Sequence, residues 1–215
     1  MICFVDHFDS FSFNVLAWLM AGAGPTAVHR IPVDDVAAMR KLRSGEFPVV
    51  FSPGPGSPMD ATESLDLCRA IAGRVPVLGI CLGHQILGVV AGWEVVRAAQ
   101  PFHGTRRSII SDASSFFFGD LPDFKAATYN SLALRAPPNV GKASFPVRVT
   151  ATCEFGDVQA IESVAGIKAV GVQFHPESFL SDDISGFRDK WLAYATAWMK
   201  ARDQSSATAP LLMPS

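Results

Sequence analysis

Three short stretches of this chain combine residue types that can act together as catalysts. Gly79-Ile80-Cys81-Leu82-Gly83 sets a thiol between two glycines, each two residues away. His175-Pro176-Glu177 puts an imidazole two residues before a carboxylate, with a stiff proline between them. Ser52-Pro53-Gly54-Pro55-Gly56-Ser57-Pro58 mixes prolines that rigidify a loop with glycines that leave main-chain N–H groups open to a ligand. A thiol attacks a carbonyl carbon as the thiolate, so it needs a base, and the leaving group needs an acid. Imidazole does both near neutral pH, and a carboxylate on its far nitrogen fixes the tautomer and stabilises the imidazolium. Each stretch also has a plainer reading: a buried structural cysteine, a surface histidine beside a glutamate, a tight turn. Taken together they make Cys81, His175 and Glu177 a candidate Cys-His-Glu triad.

Apolar spacing names the elements that must position these groups. Residues 75–80 form a short apolar run that reads as a buried strand, and residues 82–92 carry Ile86, Leu87, Val90 and Ala91 at helical spacing. Cys81 therefore falls on a strand-to-helix turn, the G-x-nucleophile-x-G elbow. There the backbone is strained, and the first N–H groups of the helix favour a thiolate and can hold an oxyanion. Residues 168–174 read as the strand that ends at His175, and residues 48–51 as the strand that ends at the proline-glycine loop.

The rest of the first half continues the alternation. Residues 2–5 form a strand, and Asp9 or Ser10 is the expected cap of a helix through Val15, Trp18 and Leu19, ending near Gly22-Ala23-Gly24-Pro25. The polar-aromatic run 6–14 serves capping and packing, yet it also lies where open α/β sheets bind ligands. A strand at 27–31 leads to Asp34, the expected cap of a helix with Val36, Met39 and Leu42 inward. A further helix carries Leu65, Cys68 and Ile71 on one face. Four strand-helix units predict parallel strands.

From Trp93 onward, short alternating segments at 94–98, 107–110, 126–128, 132–135, 147–152, 158–162 and 168–174 predict antiparallel additions, separated by turns such as Ala136-Pro137-Pro138-Asn139. Phe116-Phe117-Phe118 reads as core or a loop plug, and Ser181 as the cap of a last helix with Ile184, Phe187, Trp191, Tyr194 and Trp198 on one stripe. The expected fold class is α/β: a mixed, mainly parallel central sheet flanked by helices, with antiparallel additions in the second half. Residues 1–203 form the expected domain, and residues 204–215, which include Leu211-Leu212-Met213, a flexible tail or linker.

Composition narrows the function. The 215 residues carry a net charge of −2 and are 49% apolar, so neither a polyanion nor nucleic acid is implied as partner. The first residues show no basic or long apolar stretch, which argues against secretion and against a membrane span. Cys3, Cys68, Cys81 and Cys153 are widely spaced with no C-x-x-C pair, which disfavours disulfides and zinc and fits the cytoplasm.

With these residues in view, the chain closely resembles class I, triad-type glutamine amidotransferases, through G-I-C-L-G-H-Q at 79–85 and F-H-P-E at 174–177. S-P-G-P-G-S-P at 52–58 and D-H-F-D-S-F-S-F-N at 6–14 resemble the chorismate-utilising branch, the glutaminase components of anthranilate synthase and 4-amino-4-deoxychorismate synthase. The likeness spans about residues 2 to 200. His103-Gly104 and Tyr129-Asn130-Ser131-Leu132 match further segments, with Thr105 where the branch usually has Lys and Asn130 where it usually has His.

The resemblance implies a flavodoxin-like fold in which Cys81 attacks the carboxamide of L-glutamine, His175 shuttles the proton and Glu177 orients it. It also implies an oxyanion hole from the Leu82 N–H and that of Gly54 or Gly56, and a substrate site of Gly54, Pro55, Gly56, Gln85, Ser131 and Leu132. No metal or cofactor is expected in this chain, whereas the chorismate-binding synthase partner, as a separate chain or a fused domain, is expected to use Mg²⁺. Ammonia is protonated in neutral water, so an enclosed path to that partner is expected. Two other readings are a γ-glutamyl hydrolase without a partner and a silent binding protein. The first is disfavoured by the intact Glu177 and the 52–58 loop, the second by a triad that lacks no member.

Overall fold

The computed structural model describes residues 1–24, 27–101, 104–138 and 145–207. Pro25, His103, Asn139 and the tail from residue 208, with Leu211-Leu212-Met213, lie outside the described residues. The first half runs β1 (Ile2–Asp6), α1 (Ser12–Ala23), β2 (Val28–Pro32), α2 (Val36–Leu42), β3 (Val49–Phe51), α3 (Thr62–Ile71), β4 (Val77–Ile80) and α4 (Leu82–Val90). The second half adds β5 (Glu94–Arg97), β6 (Thr105–Ser111), β7 (Phe124–Thr128), β8 (Leu132–Arg135), β9 (Val147–Cys153), β10 (Val158–Ser163), β11 (Ala169–Val172) and α5 (Ser185–Ala207).

Nine strands form one sheet in the order β2-β1-β3-β4-β11-β10-β9-β6-β7, and β5 and β8 form a separate two-stranded ribbon. Strands β2, β1, β3, β4 and β11 pair in parallel, and β10, β9, β6 and β7 continue the sheet antiparallel. This is the mixed α/β architecture expected from the pattern.

The parallel strands are apolar on both faces because helices cover both. Cys3, Val5, Val49, Phe51 and Val77 pack on one side with Met39, Leu65, Cys68 and Ile86 of α2, α3 and α4. Their neighbours Ile2, Phe4, Val50, Leu78 and Ile80 pack on the other with Val15, Leu19, Phe187 and Trp191 of α1 and α5. Phe117 and Phe118 plug this second layer, as expected, while Phe116 stays 41% exposed.

The chain departs from the expected caps at three helices. Asp9 does not cap α1; its Oδ1 accepts from the Phe11 N–H (2.8 Å), a local turn one residue before the helix, and Ser10 makes no cap either. At α2 the cap is Asp35 rather than Asp34, accepting from the Ala38 N–H at 3.0 Å. Ser181 is drawn away from α5 because its hydroxyl donates to the His175 carbonyl (2.6 Å) and accepts from the Ala127 N–H (3.0 Å). Asp183 makes a local turn just before the helix, accepting from the Ser185 N–H at 2.9 Å. Helix α5 also continues past residue 203 to Ala207, since Lys200, Ala201, Arg202 and Gln204 all favour the helix.

The strand order reverses between β1 and β3, since the chain steps from β1 to β2 on one side and then crosses to β3 on the other, and ligands of such sheets bind beyond the carboxyl ends at that point. His7 and the 52–58 loop emerge there. One and two strands further along, β4 and β11 end at Cys81 and at Gln173-Phe174-His175.

Candidate active site

Cys81 has φ 52° and ψ −101°, a conformation that costs a non-glycine residue about 1–3 kcal/mol. It is held by its N–H donating to Val172 O across the β4–β11 pair (2.8 Å) and by the start of α4. The flanking glycines are required by close approach. A Cβ at Gly79 would stand 2.3 Å from Gly83 O, and one at Gly83 would stand 2.3 Å from Phe51 O. The half-buried sulfur is thus carried on an elbow that no side chain at either flank could permit.

His175 reaches the same place from β11. Its N–H donates to Ala127 O at 2.9 Å, which ties the end of β11 to β7. Phe11 and Tyr129 flank its ring, with centroids 5.2 and 4.9 Å away. Nδ1 meets Glu177 Oε1 at 2.6 Å, with the two side chains 2% and 0% exposed. Burial opposes a charged imidazole, but Cys81 and Glu177 outweigh it and push its pKa from 6.5 up to about 10. Nε2 and Glu177 Oε2 make no well-formed hydrogen bond, so the ring keeps its far nitrogen uncommitted on the Cys81 side.

The loop after β3 is braced from below. The Ser52 hydroxyl donates to Pro53 O (2.6 Å) and accepts from the His7 N–H (2.9 Å). His7 Nδ1 meets the same oxygen at 3.0 Å, and Nε2 meets Ser64 Oγ at 2.8 Å. A neutral imidazole with its proton on Nδ1 satisfies both contacts, and burial holds the His7 pKa down at about 4. Gly54 fits because a Cβ there would lie 2.5 Å from Leu82 Cδ2 and 2.6 Å from His7 Cβ. Loop and elbow are therefore in direct contact.

Gly54, Pro55, Gly56, Leu82, Gln85, Ser131 and Leu132 line a single cavity of about 260 Å³ with Cys81 in its wall. His175 and Glu177 are not part of the lining. A larger hollow of about 310 Å³ lies beside Pro55 and is lined by His7, Asp34, Asp60 and Glu63; no cysteine lines it. The ribbon that carries Ser131 and Leu132 is notched into α4 at Gly88, where a Cβ would stand 2.2 Å from Leu134 Cδ1. Gln85 Nε2 donates to Leu132 O (3.2 Å), and Asn130 Nδ2 donates to the same oxygen (2.9 Å). Thr105 pairs across β6–β7 with Thr128 and does not line the cavity.

Three residues that the sequence reading named only as a cap, a matching segment or a strand residue belong here. Asp9 is the one charged side chain among those lining the cavity, and a carboxylate just past a strand's carboxyl end was the available signal. Tyr129 lines it beside Asn130. Gln173, 0% exposed, interrupts an apolar strand run; it accepts from Gln85 Nε2 (3.0 Å) and donates from Nε2 to Cys81 Sγ (3.6 Å). Among the described residues no group of three or more His, Cys, Asp or Glu could hold a metal, and no helix is long and apolar enough to cross a membrane.

Comparison with known proteins agrees with this geometry. The chain is 35% identical over 184 residues to aminodeoxychorismate/anthranilate synthase component 2 of Bacillus subtilis, covering 84% of this chain and 90% of that one. It is 36% identical over 194 residues to the aminodeoxychorismate synthase of Streptomyces pristinaespiralis, covering 86% of this chain and 26% of that one. The chain thus spans less than a third of the length of the first curated relatives it matches. A crystal structure of a Thermoplasma acidophilum protein, assigned to GMP synthase as one of its subunits, superposes with a TM-score of 0.74 at 18% identity, covering 94% of this chain and 96% of that one. That likeness establishes the fold. The family model described as glutamine amidotransferase class-I matches residues 3–191, and the chain belongs to that family.

Proposed function

We propose that this chain is the glutaminase component of a chorismate-aminating synthase, working in the reducing cytoplasm. The observation that carries the reading is a strained elbow thiol in the wall of a cavity, next to an imidazole whose other nitrogen is clamped by a buried carboxylate. Asp9 supplies the counter-charge for the α-ammonium of L-glutamine, Gln85 and the Ser131-Leu132 main chain hold its polar head, and the carboxamide points at Cys81. The Cys81 thiolate adds to the amide carbon while the oxyanion is received by the Leu82 N–H and by Gly54 or Gly56, each donor worth about 3 kcal/mol. His175 Nε2 gives its proton to the departing nitrogen, and ammonia leaves a glutamyl thioester. Water then attacks, its proton returns to His175, and glutamate and the thiolate are released.

A partner is part of the proposal. Phe8, at φ 61° and 53% exposed, comes two residues after β1, and Phe179, 89% exposed, comes two residues after Glu177; both lie in segments that follow the carboxyl ends of parallel strands. Exposed aromatics around a reactive edge are the kind of apolar surface a partner covers. The named relatives are components of aminodeoxychorismate or anthranilate synthases, and the regiochemistry of amination, like any Mg²⁺, belongs to the synthase.

The test is ammonia release from glutamine by the chain alone, with a chorismate-binding synthase component, and with that component plus chorismate. The expected result is weak activity alone, rising with each addition. With Cys81→Ser, glutamine-dependent product is lost while product from added ammonium salt persists. Equal cleavage of a γ-glutamyl peptide, unaffected by the synthase, would instead establish the partner-free hydrolase.

A further inference from the structure

Gln173 sits where substrate recognition and nucleophile meet, and its orientation can be deduced rather than assigned. The two ends of a side-chain amide are told apart only by their partners. Leu132 O is a carbonyl and can only accept, so the Gln85 atom that meets it is the NH₂ group. The same NH₂ meets Gln173 at 3.0 Å, so the Gln173 atom there must be its oxygen. The Gln173 NH₂ therefore has to face the other way, and what it faces is Cys81 Sγ at 3.6 Å. The register explains the proximity: Val172 pairs with Ile80, so the residues that follow, Gln173 and Cys81, leave their strands side by side.

We propose that Gln173 is a positioning residue that donates an N–H to the Cys81 sulfur, while its carbonyl holds Gln85 in the substrate cavity. The proposal rests on the glutaminase reading, which identifies Cys81 as nucleophile and Gln85 as substrate ligand. A donor aimed at sulfur favours the thiolate over the thiol and fixes where the sulfur stands. It is a second electrostatic support for the nucleophile besides His175. Because Gln173 has no exposed surface, water cannot replace either bond. The relay Leu132–Gln85–Gln173–Cys81 also links the ribbon that receives the substrate to the atom that attacks it.

Two substitutions separate this role from packing. Gln173→Glu keeps an oxygen for Gln85 but turns a carboxylate oxygen toward the sulfur; Gln173→Leu removes both bonds. Each is assayed for kcat and KM with glutamine in the presence of the synthase, and for the rate at which iodoacetamide alkylates Cys81 in the isolated chain at pH 7. Cys3, Cys68 and Cys153 are at most 3% exposed, so alkylation reads Cys81. The expected result for Q173E is a KM within about threefold of wild type with kcat and alkylation each reduced on the order of tenfold or more. For Q173L the alkylation rate falls similarly and KM rises about tenfold, and this variant alone carries the test if Q173E does not fold by circular dichroism. Wild-type alkylation rates in whichever variants fold would overturn the proposal and leave Gln173 a packing residue. Failure of the glutaminase reading shows separately, as absence of ammonia from wild-type protein with synthase and chorismate.

Discussion

Two buried carboxylates, Glu162 and Glu177, divide the molecule into a part that holds shape and a part that holds reactivity. Glu162, 2% exposed on β10, accepts from the Ser115 hydroxyl and from the N–H groups of Phe116 (3.1 Å) and Phe117 (3.0 Å), with Arg148 at 4.0 Å. Both of its oxygens are used, and they pin the phenylalanine plug into the core. Glu177 is equally buried, yet only Oε1 has a partner, and that partner is an imidazole whose own far nitrogen is left uncommitted. Buried polar groups are normally satisfied, and loose ends concentrate where chemistry needs them. The same residue type therefore anchors a loop in the antiparallel half and clamps a single imidazole nitrogen beside the parallel half.

The comparison breaks most visibly at the active carboxylate. His175→Ala should lower glutamine-dependent kcat by at least about 10⁴-fold, and Glu177→Gln by about 10³-fold, with thermal stability little changed in the latter. Equal losses for the two, in folded protein, would mean that Glu177 does more than orient. Glu162→Gln is expected to show the reverse. Its NH₂ group would confront main-chain donors, costing about 3 kcal/mol in urea unfolding while kcat with glutamine stays within twofold. A kcat loss in Glu162→Gln would erase the distinction between the two sites.

A smaller effect sharpens it through pH. His84 lies on α4 behind the elbow, 0% exposed, with neither ring nitrogen well paired; burial holds its pKa down at about 4, the Gly171 backbone offsetting only part. His7, equally depressed, is well partnered. A base whose folded pKa lies below its unfolded value of 6.5 leaves stability intact above that pH and erodes it as pH falls from 6.5 toward 4. Each histidine should thus cost about 2 kcal/mol at pH 5. His84→Leu is expected to remove about half of that loss, read from urea midpoints at pH 7 and pH 5. His175 runs the other way: its raised pKa stabilises the fold below 6.5 and stops doing so as pH climbs through 10. An acid slope unchanged in His84→Leu would show that His84 is already partnered.

Much of this was readable from residue order, and the reasons for the exceptions are physical. The elbow at Cys81, the H-P-E pair and the 52–58 loop are local devices: two glycines, a proline and a strand end settle their geometry. The continuous apolar runs of β1, β3 and β4 mark them as interior strands because each is covered on both sides. Caps were misplaced because a hydroxyl or carboxylate has several acceptors and donors within reach, and tertiary contacts choose among them. Ser181 is the clear case, taken by the His175 carbonyl and the Ala127 N–H rather than by the helix it precedes. Gln173 was not assigned to the site because its partners lie 88 residues or more away, and Asp9 because its place in the cavity wall depends on loops distant in sequence; no spacing within one strand encodes either.

The notch at Gly88 has a consequence for how this protein can change. One hydrogen atom at that position sets how closely the Ser131–Leu132 arm approaches the helix behind Cys81, since a methyl group would collide with Leu134. Cavity width is thereby set by Gly88 and Leu134, two residues that do not themselves line the cavity. A variant library confined to the cavity wall would leave that width unaltered, whereas Gly88→Ala combined with trimming of Leu134 would reset it through two coupled substitutions.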